Sequence, residues 1–280
     1  MKRVKLTVAY DGTNYCGWQV QPNGIAVQQV LNAALSEITG EQIHTIGASR
    51  TDAGVHARGN VAVFDTAARM PGNKYSYALN TRLPDDIKIQ GSREVSPEFH
   101  PRFTSTVKTY EYKILNRRFP DPTRRNDTCF LYVPLDAERM DRAARYLIGE
   151  HDFRSFQASG ETNPDRNTVR TIYSARVIRE EDLIRFQICG NGFLYNMVRI
   201  LAGTLVEIGR GRTEPEELKG ILESRDRSAA GPTAPARGLT LMEIKYPEWE
   251  PDFFNRKQKA CGGENLTAHD ARVNVRYGLR

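Results

Sequence analysis

The sequence predicts an α+β protein made of two similar αβ halves, with mixed or antiparallel sheets, helices packed on one face and a cleft between the halves. Three observations lead there. Several separated stretches alternate apolar and polar residues with period two, the pattern of half-buried strands. Others repeat apolar residues at i, i+3 and i+4, the spacing of one helix face. The same order of strand and helix patterns recurs on either side of residue 105, and such elements bury their apolar sides as sheets covered by helices. A chain of 280 residues with 39% hydrophobic content can bury a substantial core, as one large domain or two ordinary ones.

In the first half, Val4, Leu6, Val8 and Tyr10 alternate on a strand; Asp11-Gly12-Thr13 turns the chain and Gly17-Trp18-Gln19 lies in a loop. Val27, Val30, Leu31, Ala34, Leu35 and Ile38 mark a helix, with Gly40 as its stop. Strands over 43–48 and 59–65, a short helix over 72–80 and a strand over 87–95 complete an N-terminal αβ domain, residues 1–105. The second half, residues 106–247, opens with Tyr110, Tyr112 and Ile114 alternating on a strand. Met140, Ala143, Ala144 and Leu147 mark a helix, and Val169–Ile178 and Leu183–Cys189 read as paired strands joined across Arg179–Asp182. A long helix over Tyr195–Ile208 shows Met197, Leu201, Leu205 and Ile208 on one face, with Gly209 as its cap. Thr213 and Glu216 suggest a capping box for a helix ending near Ser224, and Leu239–Tyr246 is the last strand.

Residues 248–280 form a basic tail, and 252–280 contain few periodic apolar positions. In 252–280 the basic residues Arg256, Lys257, Lys259, Arg272, Arg276 and Arg280 outnumber Asp252, Glu264 and Asp270, so half of the net charge of +6 falls there. This tail is expected to be flexible, either helping to capture RNA or simply aiding solubility. Elsewhere arginines gather in the expected loops: Arg117, Arg118, Arg124 and Arg125, then Arg166, Arg170, Arg210 and Arg212. Such clusters suit a phosphate backbone, and equally suit a solvated surface. No stretch reaches the length of a membrane span, and the N-terminus runs straight into a strand, so neither a span nor a secretory signal is expected. Cys16, Cys129, Cys189 and Cys261 stand far apart without neighbouring histidines at ligand spacing, which reads as reduced thiols in a cytoplasmic protein, not a metal site.

The chemistry concentrates in Ser49-Arg50-Thr51-Asp52-Ala53-Gly54-Val55-His56. Ile46 and Ala48 end one strand and Val61 begins the next, so Asp52 falls in a tight turn at a strand exit, where catalytic groups are often held. Asp and Gly also form ordinary turns, and most aspartates in such a turn are structural, so this stretch alone does not establish catalysis. His56, His100 and His151 read as loop hydrogen-bonders, since no Ser or Cys stands at a recognisable nucleophile elbow. Gly209-Arg210-Gly211-Arg212 could contact phosphate, but lacks the lysine and spacing of a nucleotide-binding loop.

With the other motifs, the chain resembles the tRNA pseudouridine synthase A family. The matching segments are Tyr10–Thr13 with Gly17–Gln19, Arg50–His56, Phe99–Phe103, Tyr110–Tyr112, His151–Phe153, Gly192–Arg199 and Thr233–Ala236 followed by Gly238-Leu239, in family order across residues 4–246. Ser49 stands where the family commonly has glycine. The resemblance implies the pseudouridine synthase fold, a basic active-site cleft, and isomerisation of uridine to pseudouridine at positions 38, 39 and 40 of the tRNA anticodon stem-loop. It implies no metal or organic cofactor, no membrane and no other protein partner, and a homodimer. Asp52 takes the role of nucleophile, attacking either C1′ of the sugar or C6 of the base, as carboxylates do in glycoside chemistry. Tyr110 corresponds to the tyrosine that stacks on the flipped uracil and helps remove the C5 proton. Arg199 corresponds to the arginine paired with the carboxylate, expected as a bidentate fork that lowers its pKa. Arg50 enters the stem-loop as the nucleotide leaves the stack. Leu239 lines the uracil pocket. A catalytically silent RNA-binding module and a hydrolase releasing free uracil are the competing classes, distinguished by whether product forms and which product it is.

Overall fold

The computed structural model describes residues 1–158, 167–247 and 249. Arg166 and, apart from Trp249, the 248–280 tail lie outside the described residues. Ten strands make one mixed sheet: β1 (Lys2–Tyr10), β2 (Ile46–Gly47), β3 (His56–Thr66), β4 (Ile87–Val95), β5 (Val107–Asn116), β6 (Cys129–Leu131), β7 (Gly149–Asp152), β8 (Val169–Glu180), β9 (Leu183–Gly190) and β10 (Leu239–Lys245). Their order is β4-β1-β3-β10-β5-β9-β8-β7, with β2 against β3 and β6 against β5. Strands from before residue 105 thus hold one side and later strands the other. The last strand, β10, lies between them, and Met1–Ile244 form one compact unit. β3 and β10 run parallel, Thr240 opposite His56, so the chain enters both at the same end of the sheet.

Alternation explains one side of the sheet. Val4, Leu6 and Val8 of β1 and Ile184, Phe186 and Ile188 of β9 are buried, whereas Arg185, Gln187 and Cys189 are only partly covered. Helices α1 (Val27–Thr39), α2 (Tyr75–Asn80), α3 (Ala137–Arg145), α4 (Met197–Gly209) and α5 (Glu217–Ser224) supply the second layer, with Leu31, Leu35, Met140, Leu201 and Leu205 fully buried or nearly so. Each such side chain contributes roughly 1.5–3 kcal/mol by leaving water. The start of α3 is fixed by Asp136, whose carboxylate accepts from the amides of Glu138 and Arg139.

Gly40 ends α1 with φ 72°, as its position predicts. The strand expected over 43–48 shrinks to Ile46–Gly47, because α1 takes the backbone of the preceding residues. Asn32 Oδ1 accepts from Thr45 N at 3.0 Å, and Gln28 Nε2 donates to Thr45 O at 2.7 Å. Gly209 is not the cap of α4 but its last residue. A Cβ there would meet Met140 Sδ at 2.7 Å, so glycine allows α3 and α4 to approach, and the chain turns away at Gly211, φ 72°. The expected Thr213–Glu216 capping box is displaced too: Glu217 Oε1 accepts from Glu214 N at 2.8 Å, and Glu216 is the N-cap. β6 and β7, three and four residues long, had no periodicity to reveal them.

Candidate active site

Asp52 lies in the turn between β2 and β3. Val55 N donates to Asp52 O at 3.1 Å, Gly54 adopts φ 76°, and Trp18 N donates to Thr51 O at 3.1 Å. Beneath the turn, Tyr10 Oη and Thr51 Oγ1 hydrogen-bond at 2.7 Å, and the fully buried Asn60 donates to Tyr10 Oη at 3.3 Å and to Ser49 O at 3.1 Å. A turn's position is only as good as its supporting shell, and here the shell is buried and hydrogen-bonded.

A cavity of about 860 Å³ opens over this turn, lined among others by Arg50, Asp52, Tyr110 and Leu239. Its walls come from the segments that begin β3, β5 and β10 and that follow β9. That volume falls in the range of about 300–1,000 Å³ typical of sites for small ligands. Among the described residues, Arg50, Arg102, Lys108 and Arg170 line it, with Asp52 as the one acid. Leu239 is buried at the start of β10, and Arg50 is exposed.

Arg199, in the first turn of α4, brings Nη1 to 3.2 Å from Asp52 Oδ2. The same Nη1 donates to Asn196 Oδ1 at 2.7 Å, and Nε donates to Ala234 O at 2.8 Å. The expected bidentate fork is therefore a single-point contact: Nε is committed to the Ala234 carbonyl, and Nη1 is shared between Asp52 and Asn196. The expected drop in the Asp52 pKa is corrected as well. Burial drives it above the ordinary carboxylate value, and the hydrogen bond and charge of Arg199 offset only part of that rise. The carboxylate remains reachable, with 22% of its side chain exposed.

Tyr110 on β5 is buried, its ring edge-on to Phe193 at 5.1 Å between centroids. Its hydroxyl lies 3.0 Å from Ser49 Oγ. Burial pushes the phenol up to about 12, with Ser49 pulling down and Asp52 adding a smaller upward push. Tyr110 therefore rests protonated. His56 accepts from Gly12 N through Nδ1 at 3.0 Å, and its Nε2 faces Asn126 O and Arg237 O, so it ties three loops together. Among the described residues, no group of three or more His, Cys, Asp or Glu is placed to hold a metal ion.

The sequence model of the family described as tRNA pseudouridine synthase matches residues 6–104 and 143–247, more than half of the chain. The chain belongs to the tRNA pseudouridine synthase family. Curated relatives agree. A tRNA pseudouridine synthase A of Moorella thermoacetica is 50% identical over 248 residues, covering 88% of this chain and all of the relative. Proteins of that name from Thermoanaerobacter sp. (strain X514) and Brevibacillus brevis are 49% and 48% identical over 246 residues, with the same coverage.

Within this pseudouridine synthase fold, the structure brings Asp52, Tyr110, Arg50 and Leu239 to one cavity, and Arg199 joins them through its contact with Asp52. Sequence reasoning passed over Lys108 and gave Phe193 and Asn196, both inside the Gly192–Arg199 match, no role of their own. Lys108 carried a usable signal, lying two residues before Tyr110 on the same strand face. Asn196, held at φ 58° where asparagine is among the few tolerated residues, reveals its role only once Arg199 is seen to bond it.

Proposed function

We propose that the protein converts uridine to pseudouridine at positions 38, 39 and 40 of the tRNA anticodon stem-loop, with Asp52 as the nucleophile. The observation that carries this reading is a half-buried carboxylate, tethered by one arginine, on the wall of a nucleotide-sized cavity whose other charged lining residues, among the described ones, are Arg50, Arg102, Lys108 and Arg170. Asp52 attacks C1′ as the N1–C1′ bond breaks; the freed uracil turns in the cavity, C5 bonds to C1′ and Asp52 leaves. The C5 proton departs last and N1, freed from the sugar, takes up a proton in its place, so the reaction is an isomerisation with no net gain or loss of atoms.

In this reading Arg199 aims the carboxylate and stabilises its charged form. The cavity around Tyr110 and Leu239 receives the uracil, whose extrusion costs a few kcal/mol and must be offset by stacking and hydrogen bonding. Arg50, exposed beside the turn, fills the space the nucleotide vacates. Residues 1–105 supply the Asp52 turn and residues 106–247 supply Tyr110, Arg199 and Leu239. The protein acts in the cytoplasm as a homodimer. No helix among the described residues is long and apolar enough to cross a membrane.

The deciding experiment is tritium release from unmodified tRNA labelled at uridine C5, with pseudouridine mapped by carbodiimide treatment and primer extension. Release with stops at the three positions is expected. RNA binding without release overturns the enzymatic reading, and free uracil among the products makes the protein a hydrolase.

A further inference from the structure

His56 closes the Asp52 turn, and its hydrogen bonds reach the segment that carries Leu239. The ring is buried. Nδ1 accepts from Gly12 N at 3.0 Å, and Nε2 lies 2.8 Å from Asn126 O and 3.1 Å from Arg237 O. Carbonyl oxygens only accept, so these partners assign the hydrogen to Nε2 and leave Nδ1 its lone pair; a neutral imidazole satisfies all three. Asp11 Oδ1, 3.1 Å from Nδ1, takes the place of Gly12 only if that nitrogen gains a proton.

The Arg237 carbonyl belongs to the turn Ala236–Gly238, which delivers Leu239 to β10. Three carbonyls on this approach are held by side chains from three different elements. Arg199 Nε of α4 donates to Ala234 O at 2.8 Å, Tyr112 Oη of β5 donates to Pro235 O at 2.8 Å, and His56 of β3 takes Arg237 O. A Cβ built on Gly54, inside the Asp52 turn, would stand 3.4 Å from Ala236 Cβ, so the two segments pass close to each other. Backbone pairing adds little here, because β3 and β10 are in register at Thr240–His56 and Leu241–Ala57, a seam of two positions. Arg199 bridges the turn and this segment at one end, through Asp52 and Ala234. His56 bridges them at the other.

We propose that His56 is a positioning residue for the isomerisation, setting the spacing between Asp52 and Leu239 through its Nε2–H bond to Arg237 O. The proposal rests on the reading of Asp52 as nucleophile and Leu239 as part of the uracil pocket, and deepens it. The freed uracil must turn between these two walls while the sugar stays on the carboxylate. A wall displaced by about 1 Å presents C5 off line, at a cost of about 10²-fold in rate.

The test compares wild type, His56→Gln and His56→Asn in the full chain, measuring kcat and KM for pseudouridine formation in an unmodified anticodon stem-loop RNA, with Tm on the same preparations. A glutamine places its amide nitrogen near the Nε2 position and keeps the donor; an asparagine keeps the acceptor for Gly12 N and loses the donor. His56→Gln is expected to retain kcat within about threefold, and His56→Asn to lose about 10²-fold, with KM within about twofold in both. Asp136→Ala, which removes the cap of α3, is expected to lower Tm and leave kcat unchanged, separating turnover from stability. In a Leu239→Ala background the His56→Asn loss should shrink to about threefold or less, because the wall it positions is already gone. Equal losses in the two His56 variants, a loss in His56→Asn matched by Asp136→Ala, a rise in KM in place of the fall in kcat, or the same loss with and without Leu239 would each overturn the proposal. Should His56→Asn not fold, His56→Gln still decides, since a 10²-fold loss with the donor retained overturns it and near-normal turnover supports it. Active wild type with any overturning result sinks the His56 role alone, whereas wild type that binds the RNA and forms no pseudouridine sinks the enzymatic reading and this proposal with it.

Discussion

Arg199 touches Asp52 through a single 3.2 Å contact that spans 147 residues of chain, and that contact does not fully offset the burial of the carboxylate. A site built for stability alone would neutralise or expose this group. Here it is kept half-buried and paired at one point, on the lining of the cavity.

Asp52→Asn is expected to reduce tritium release at least about 10³-fold, since the amide cannot attack C1′. Stability should respond in the opposite sense. A carboxyl whose folded pKa lies above its unfolded value favours the fold below the unfolded value, and that contribution is lost as pH rises through the folded value. At neutral pH the ionised Asp52 therefore opposes folding, and the Asn variant should melt at or above the wild-type temperature. Calorimetry showing a clearly lower Tm would mean that Arg199 more than repays the burial.

The same shift sets an acid limit on turnover. Single-turnover rates should fall with decreasing pH through a value above the ordinary carboxylate range, because only ionised Asp52 attacks. Arg199→Met removes the hydrogen bond and charge that lower the pKa, so its acid limb should move to higher pH. Arg199→Lys keeps the charge and should move it less. A pH–rate profile for the three proteins checks the order, and identical limbs would disconnect Arg199 from the carboxylate.

Tyr110 offers a separable pair of effects. Tyr110→Phe retains the ring beside Phe193 and loses the hydroxyl that meets Ser49, so RNA affinity should change less than threefold while turnover drops roughly 10²-fold, the scale of a lost proton-transfer group. Ser49→Gly, which restores the residue common in the family, frees the same hydroxyl without removing it. Its turnover should lie between wild type and Tyr110→Phe. Rapid-quench kinetics beside filter binding distinguishes these effects, and equal losses of affinity in both variants would make the contact merely structural.

The sequence displayed most strongly what depends on repeating local pattern. The period-two run Val4–Tyr10, the helical face from Val27 to Ile38 and the Gly40 stop all appear where the residues put them. Patterns fail where a partner distant in sequence decides. Asn32 and Gln28 reach from α1 to take the backbone of Thr45 and so shorten β2. Gly209 serves the approach of Met140 and not the end of α4. In the site, Asp52 and its family counterparts were visible as motifs, but the direction of the Asp52 shift was not, because burial depends on the whole cavity. Lys108 went unread because a lysine on a strand is ordinarily a solvated residue, and only the convergence of Arg102 and Arg170 marks it out.

The support beneath the Asp52 turn makes the last prediction. Tyr10 is buried, with its hydroxyl 2.7 Å from Thr51 Oγ1 and receiving Asn60 Nδ2 at 3.3 Å. Tyr10→Phe removes one hydroxyl and leaves two buried polar groups short of a partner, a cost of about 1–3 kcal/mol. For a unit of this size that lowers Tm by a few degrees, at about 2–4 °C per kcal/mol. Thr51 precedes the nucleophile directly, so the loss should reach catalysis by loosening the turn rather than by altering RNA contacts. Turnover should therefore fall while KM stays within about twofold, the pattern of an interaction realised only in the transition state. Thermal unfolding and steady-state kinetics on the same preparation decide it: a rise in KM with unchanged turnover would assign Tyr10 to RNA binding and leave the turn rigid without it.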